Sequence, residues 1–140
     1  MSKLNTDDIE KLKKTVDPYK FGEILRESAE KGSFDSQLML STMTLVLMND
    51  IEGKPQQERI EADFLKYTKM AAENGDAGSQ FNLGKFYFSK IDASDGKLYE
   101  DDYPLVREAE YWLKKAASQG DEKSILFIKD LEWFFNKASA

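Results

Sequence analysis

The sequence predicts an all-α protein of about seven helices, stacked in consecutive pairs as a short solenoid. Three observations predict it. Apolar residues recur at helical spacing along nearly the whole chain, and no stretch alternates with period two between turn signals. The three prolines, Pro18, Pro55 and Pro104, each fall where a helix should begin, and a first turn tolerates proline. Three segments of the chain also align with one another on a glycine.

The elements follow in order. Asn5 or Thr6 can cap a short first helix. Asp7, Asp8 and Glu10 sit near its positive end, and Lys11, Lys13 and Lys14 lie towards the other. A second helix is expected over about 18–31, where Phe21, Ile24, Leu25 and Ala29 recur at helical spacing and Gly32 stops it. A third covers about 34–48 and ends near Asn49 and Asp50; Gly53, Lys54 and Pro55 then make a connection. A fourth spans about 57–73, stopped by Asn74 and Gly75, and a fifth about 77–89. Residues 90–102 form the one long irregular segment, with turn-formers Asp92, Ser94, Asp95 and Gly96. A sixth helix over about 103–118 ends at Gln119 and Gly120, and a seventh runs over about 121–136.

The aligned glycines, Gly32, Gly75 and Gly120, lie 43 and 45 residues apart. Eight before each is a large apolar residue: Ile24, Tyr67, Trp112. Four and three before are small ones: Ser28 and Ala29, Ala71 and Ala72, Ala116 and Ala117. Four after is always serine: Ser36, Ser79, Ser124. Six after is Leu38, Phe81 or Leu126, and eight after is Leu40, Leu83 or Ile128. Each class has a mechanical reason. Glycine permits the left-handed backbone that ends one helix and turns into the next. Small pairs let helix backbones approach, and the large residue fills the groove between neighbours. The serine is small, and its hydroxyl is expected to bond back to a carbonyl one turn earlier.

This pattern resembles the Sel-one-like repeat family, a relative of the tetratricopeptide repeats. One half-motif of the family is matched by Ala71, Ala72, Gly75, Ser79, Gln80, Leu83, Gly84 and Tyr87. The other is matched by Ala109, Trp112, Lys115, Ala116, Ala117 and Gly120. The flanking repeats depart from it: Ser41 and Thr44 stand where the middle repeat has Gly84 and Tyr87, and Lys129 and Glu132 stand there in the last. Divergent ends suit capping units. The resemblance covers roughly 21–136 and implies a right-handed superhelix of antiparallel helix pairs. It also implies a non-catalytic module that holds a peptide or protein in a concave groove. Carried over by position, the partner-binding residues are Thr42, Leu45, Phe81, Lys85, Phe88, Asp130 and Trp133, with Leu38 and Leu126 also on the lining. Phe81, Lys85 and Phe88 fall at i, i+4, i+7, one helical face. Spacing alone leaves open whether Leu38, Leu126, Phe81, Phe88 and Trp133 serve core or binding surface.

Composition bounds the function. The 140 residues fit one domain, with 1–17 as an N-terminal capping helix and 18–140 as repeats. Aromatics make up 12%, too many for a disordered tail. Acidic residues outnumber basic ones 26 to 20, the opposite of a nucleic-acid binder and suited to solubility or a basic partner. The sequence has no Cys and no His, which removes disulfides, most zinc, haem and iron–sulfur chemistry, and Ser-His-Asp or Cys-His catalysis. No enzyme activity and no cofactor is expected. The segment 91–102 brushes against a calcium loop, but Ile91 and Ala93 occupy places that need oxygen ligands. Gly75, Gly78 and Gly84 follow no strand and precede no Gly-Lys-Ser/Thr, so they are not a phosphate loop. The N-terminus lacks a signal peptide's apolar stretch. The longest apolar run, residues 38–48, is interrupted by Ser41, Thr42 and Thr44 and is too short to cross a bilayer. A cytoplasmic protein is therefore expected, with no membrane partner. The alternative function is a bacterial immunity protein that neutralises a cognate, basic toxin. Trp133, Phe134 and Phe135 either cap the last core layer or pair two copies, so the protein is expected as a monomer or weak homodimer.

Overall fold

The computed structural model describes residues 3–51, 53–92 and 95–138, and the side chains up to residue 133. Seven α-helices, packed on their neighbours, make up these residues, with no strand among them. They are α1 (Thr6–Thr15), α2 (Pro18–Glu30), α3 (Phe34–Asp50), α4 (Gln57–Glu73), α5 (Ala77–Ser89), α6 (Tyr103–Ser118) and α7 (Glu122–Ala138). A single 3-10 turn, Glu100–Asp102, precedes α6. No described helix is long and apolar enough to cross a membrane. The chain divides into two compact units, Met1–Asn74 and Gly75–Ala140.

In the first unit, α2 packs on α3 and α3 on α4, while α1 lies against α2 and α3. Leu4, Ile9, Phe21, Leu25, Ala29, Leu40 and Tyr67 form its core, with Leu12, Val16, Ile24, Met39, Met43 and Met70 packed around them. The N-terminal helix, which the repeat leaves unexplained, is anchored by backbone and core alike. The Leu4 N–H donates to buried Ser28 Oγ at 2.8 Å, and Ser33 Oγ donates to the Leu4 carbonyl. A reciprocal capping box closes the first turn of α1: Asn5 accepts from the Asp8 N–H at 2.9 Å, and Asp8 from the Asn5 N–H at 3.2 Å. In the second unit, α5 packs on α6 and α6 on α7. Ala109, Leu113 and Leu131 are its buried centre, with Phe81, Tyr87, Phe88, Phe127 and Ile128 packed against them.

The aligned glycines have the backbone their role requires. Gly32, Gly75 and Gly120 adopt φ of 103°, 98° and 87°, a region that L side chains rarely enter. At Gly32 the turn is a Schellman motif: the Gly32 N–H donates to the Ala29 carbonyl and the Ser33 N–H to the Ser28 carbonyl, both at 3.0 Å. The same pair of bonds recurs at Gly120, onto the Ala117 and Ala116 carbonyls. The residue after each glycine then caps the next helix. Ser33, Asp76 and Asp121 accept from the N–H of Ser36, Ser79 and Ser124.

Three expectations are corrected. The repeated serine does not bond back to a carbonyl. Ser79 Oγ and Ser124 Oγ donate to the capping carboxylates of Asp76 and Asp121 at 2.7 and 2.6 Å, and Ser36 Oγ donates to Ser28 Oγ at 3.0 Å. As third residue of its helix, the serine has no helical carbonyl one turn behind it, while the cap oxygen lies within reach. Pro55 stands in the turn before α4, not in its first turn, whereas Pro18 and Pro104 do open their helices. The helix ends move by a residue or two: α2 stops at Glu30, α3 runs on to Asp50, and α7 starts at Glu122 with Asp121 as its cap.

The two units also repeat one interhelical contact with different chemistry. In the second, Gly84 on α5 meets Leu113 on α6 so closely that a Cβ there would stand 2.5 Å from Leu113 Cγ. In the first, the residues at the same repeat positions, Ser41 on α3 and Thr68 on α4, share a buried hydroxyl–hydroxyl hydrogen bond. A second contact recurs with its chemistry intact. Asn74 Nδ2 donates to Gln37 Oε1 at 2.7 Å, and Gln119 Nε2 donates to Gln80 Oε1 at 2.9 Å. Gln37 Nε2 in turn donates to the Ala29 carbonyl, and Gln119 Nε2 to the Gly75 carbonyl, each at 3.0 Å. The Gln37 amide thus satisfies a buried backbone carbonyl where the helices meet, while the Gln119 bond to Gly75 lies exposed.

Candidate partner-docking recess

The seven residues expected to bind a partner fall in both units. Thr42 and Leu45 lie on α3 in the first. Thr42 is exposed and lines a recess of about 260 Å³ with Thr6, Ile9, Asp35, Leu38 and Met39; Leu45 is half-buried. Thr6 Oγ1 donates to Asp35 Oδ2 at 3.1 Å at this recess, so its acidic group is already engaged.

The other five lie in the second unit, and three of them converge. Phe88 on α5 with Asp130 and Trp133 on α7 line a recess of about 350 Å³, together with Phe127 and Leu131. The volume is at the low end of ligand pockets, room for a bulky side chain and not for a large cofactor. Helical periodicity explains the wall contributed by α7: residues 127, 130 and 131 fall at i, i+3, i+4, and 133 follows 130 at i+3. The floor is held by aromatic packing. Phe127 meets Phe88 edge-on at 5.5 Å between ring centres and 87°, and meets Phe81 at 5.9 Å and 89°. Such pairs contribute about 0.5–1.5 kcal/mol each beyond the area they bury. Phe81 therefore supports the recess from within. Lys85 is exposed on α5 but does not line it.

Along the outer face of α7, Leu126, Asp130 and Trp133 stand at i, i+4, i+7. Leu126 is 61% and Trp133 64% exposed, a large apolar surface for two residues of one helix. Asp130, also exposed, is the one charged side chain among the described lining residues. Phe134 and Phe135, which share the end of α7, have side chains outside those described.

Sequence reasoning missed Phe127 and Leu131. The column of Phe127, seven residues past the glycine, reads Met39, Asn82, Phe127 and carries no consistent character. Leu131 was findable: its column, eleven past the glycine, reads Met43, Phe86, Leu131, apolar throughout.

The remaining chemistry is local. The Asp95 carboxylate accepts from the Tyr99 hydroxyl and from the Lys97 N–H at 3.0 Å. These bonds hold its carboxyl below the usual range and push the Tyr99 phenol up. They tie the acidic loop to itself. Ala93 and Ser94, part of the segment compared with a calcium loop, lie outside the described residues. Among the described residues no group of three or more acidic side chains is placed to hold a metal ion. Comparison with known proteins found no matching family model, no matching curated protein and no matching solved structure.

Proposed function

We propose that the chain is a non-catalytic protein-interaction module in which the recess between α5 and α7 receives a peptide or helix of a partner protein. The observation that carries this reading is the recess itself, aromatic and aliphatic on its floor, with Trp133 and Leu126 left largely exposed beside it. Large aromatic side chains with a firm packed base are the usual energetic centre of an interface. The absence of Cys and His from the sequence supports binding over catalysis.

The same reading takes the architecture as a right-handed, tetratricopeptide-like solenoid of the Sel-one-like type, with antiparallel helix pairs, in a cytoplasmic setting. Its support is the recurrence of equivalent contacts at the repeat offsets, Ser41 with Thr68 and Gly84 with Leu113, and the twin amide contacts at Gln37 and Gln80. A unit that repeats its contacts as well as its sequence behaves as a repeat module.

The test compares the native protein with Trp133→Ala in quantitative affinity capture from the source cell. Trp133 is mostly exposed, so the variant is expected to keep its fold and melting temperature within a few degrees. It should lose the captured partner. A folded variant that retains the same captured proteins at the same yield removes the recess as the docking site.

A further inference from the structure

Resting on the docking reading, the inference concerns which partner the recess accepts. The recess pairs two chemistries across two turns of α7 and the facing Phe88 of α5. Phe88, Phe127 and Leu131 offer an apolar floor, and Asp130, the one charged residue among the described lining, shares the recess with the Trp133 indole. A carboxylate next to an aromatic face suits a cation, which gains an ion pair from one and a ring attraction from the other. The chain uses the ring half of this arrangement elsewhere: Lys115 Nζ lies 5.1 Å from the Tyr111 ring centre and 5.8 Å from that of Trp112. An acidic partner would meet Asp130 with like charge, and a purely apolar one would strip water from it without return.

The size and spacing of the surface define the rest. The recess has room for a bulky side chain, and the Leu126, Asp130, Trp133 row repeats at i, i+4, i+7, the width of one helix lying alongside another. We infer that this recess recognises an amphipathic helical segment of a partner that presents a large apolar anchor with a lysine or arginine one turn away. The overall acid excess of the chain, with net charge −6, steers such a basic segment towards it.

The experiment uses the whole chain and three synthetic peptides of about 15 residues, long enough to carry helical character. Each has a phenylalanine anchor, and one turn from it an arginine, a glutamine or a glutamate. Binding is followed by the indole N–H resonance of Trp133 and by calorimetry, for the native protein and for Asp130→Lys, with circular dichroism as a check on folding. The arginine peptide should shift the Trp133 signal and bind about fivefold or more tightly than the glutamate peptide, with added salt narrowing the gap. Asp130→Lys should reverse that order. Equal binding of all three peptides, or an order unchanged in Asp130→Lys, overturns the charge inference and leaves the docking reading standing. No binding by any peptide to the folded protein, with the Trp133 signal unmoved, overturns both. A Trp133 shift that grows with protein concentration alone makes a second copy of the chain the occupant, and overturns the inference too.

Discussion

Adding one carbon to Gly84 places it 2.5 Å from Leu113 Cγ, 2.9 Å from Leu113 Cδ2 and 3.1 Å from the Ala109 carbonyl. Both neighbours are buried and helical, so neither has room to yield. Gly78, one turn and a half earlier in the same helix, has only Asp76 Oδ2 nearby, at 3.5 Å. The two glycines should therefore respond oppositely to alanine. Gly84→Ala is expected to destabilise by about 1–3 kcal/mol through overpacking, less a smaller gain in helix propensity. Gly78→Ala has only the gain, about 0.5–1 kcal/mol. Urea unfolding of the two variants reads both signs, and equal effects would mean that the close approach of α5 and α6 is not tight. A sharper arm borrows the other unit's solution. Gly84→Ser combined with Leu113→Thr recreates the Ser41 and Thr68 pair, and should be more stable than Gly84→Ser alone. The glycine was legible in the sequence as part of a motif. Its partner was not, because Leu113 is one of many leucines until a neighbouring backbone is placed against it.

At the level of the element, the helices are set by local signals at their ends and by amides where they meet. Gln37 reaches from the first turn of α3 to the Ala29 carbonyl at the end of α2 and accepts from Asn74 at the end of α4. Gln37→Leu fits the volume but removes the buried bond to the Ala29 carbonyl, which keeps the Gly32 N–H, and leaves the exposed Asn74 amide to water. The cost is expected at about 0.5–1.5 kcal/mol, read as a fall in the urea midpoint with unchanged slope. A loss below about 0.5 kcal/mol would show that water replaces the amide without penalty. The signal for this clamp was present: Gln37 and Gln80 stand five residues past their glycines, and Asn74 and Gln119 stand just before the next. Polar columns are hard to read because a surface glutamine and a buried one look alike in sequence. In α7 the column becomes Ile125, which is exposed and clamps nothing in this way.

At the scale of the whole molecule, each unit carries a tyrosine whose burial raises its phenol pKa above 10.0, Tyr67 in the first and Tyr87 in the second. Unfolded tyrosines ionise first as the pH passes about 10, while the folded ones hold their protons. Their contribution to stability is thus whole below that pH and is lost as pH rises through the raised folded values. Lys66, raised chiefly by its hydrogen bond to Glu30, acts in the same sense but is exposed and screened by salt. Stability should be level near neutrality and fall on the alkaline side. Tyr67→Phe should make that fall shallower in high salt, measured as unfolding free energy between about pH 8 and 11. An equally steep fall in the variant would place the alkaline sensitivity elsewhere. The recess belongs to this scale as well: Phe88 and Trp133 lie on helices separated by the whole of α6 in the chain, and only folding gives them a common floor in Phe127.

The sequence alone determined the helices, their ends to within a residue or two, and their repeat, because those depend on neighbours a few residues apart: glycines that take a left-handed turn, caps that bond within their own first turn, and apolar residues spaced by the helical pitch. It left open whether Phe88 and Trp133 face the core or the surface. Tertiary structure decided where the repeated serine donates its proton, which leucine fits against Gly84, and which aromatic residues share a recess. Those outcomes depend on atoms brought within a few ångströms from distant parts of the chain, and a residue's identity carries no record of what will be packed against it.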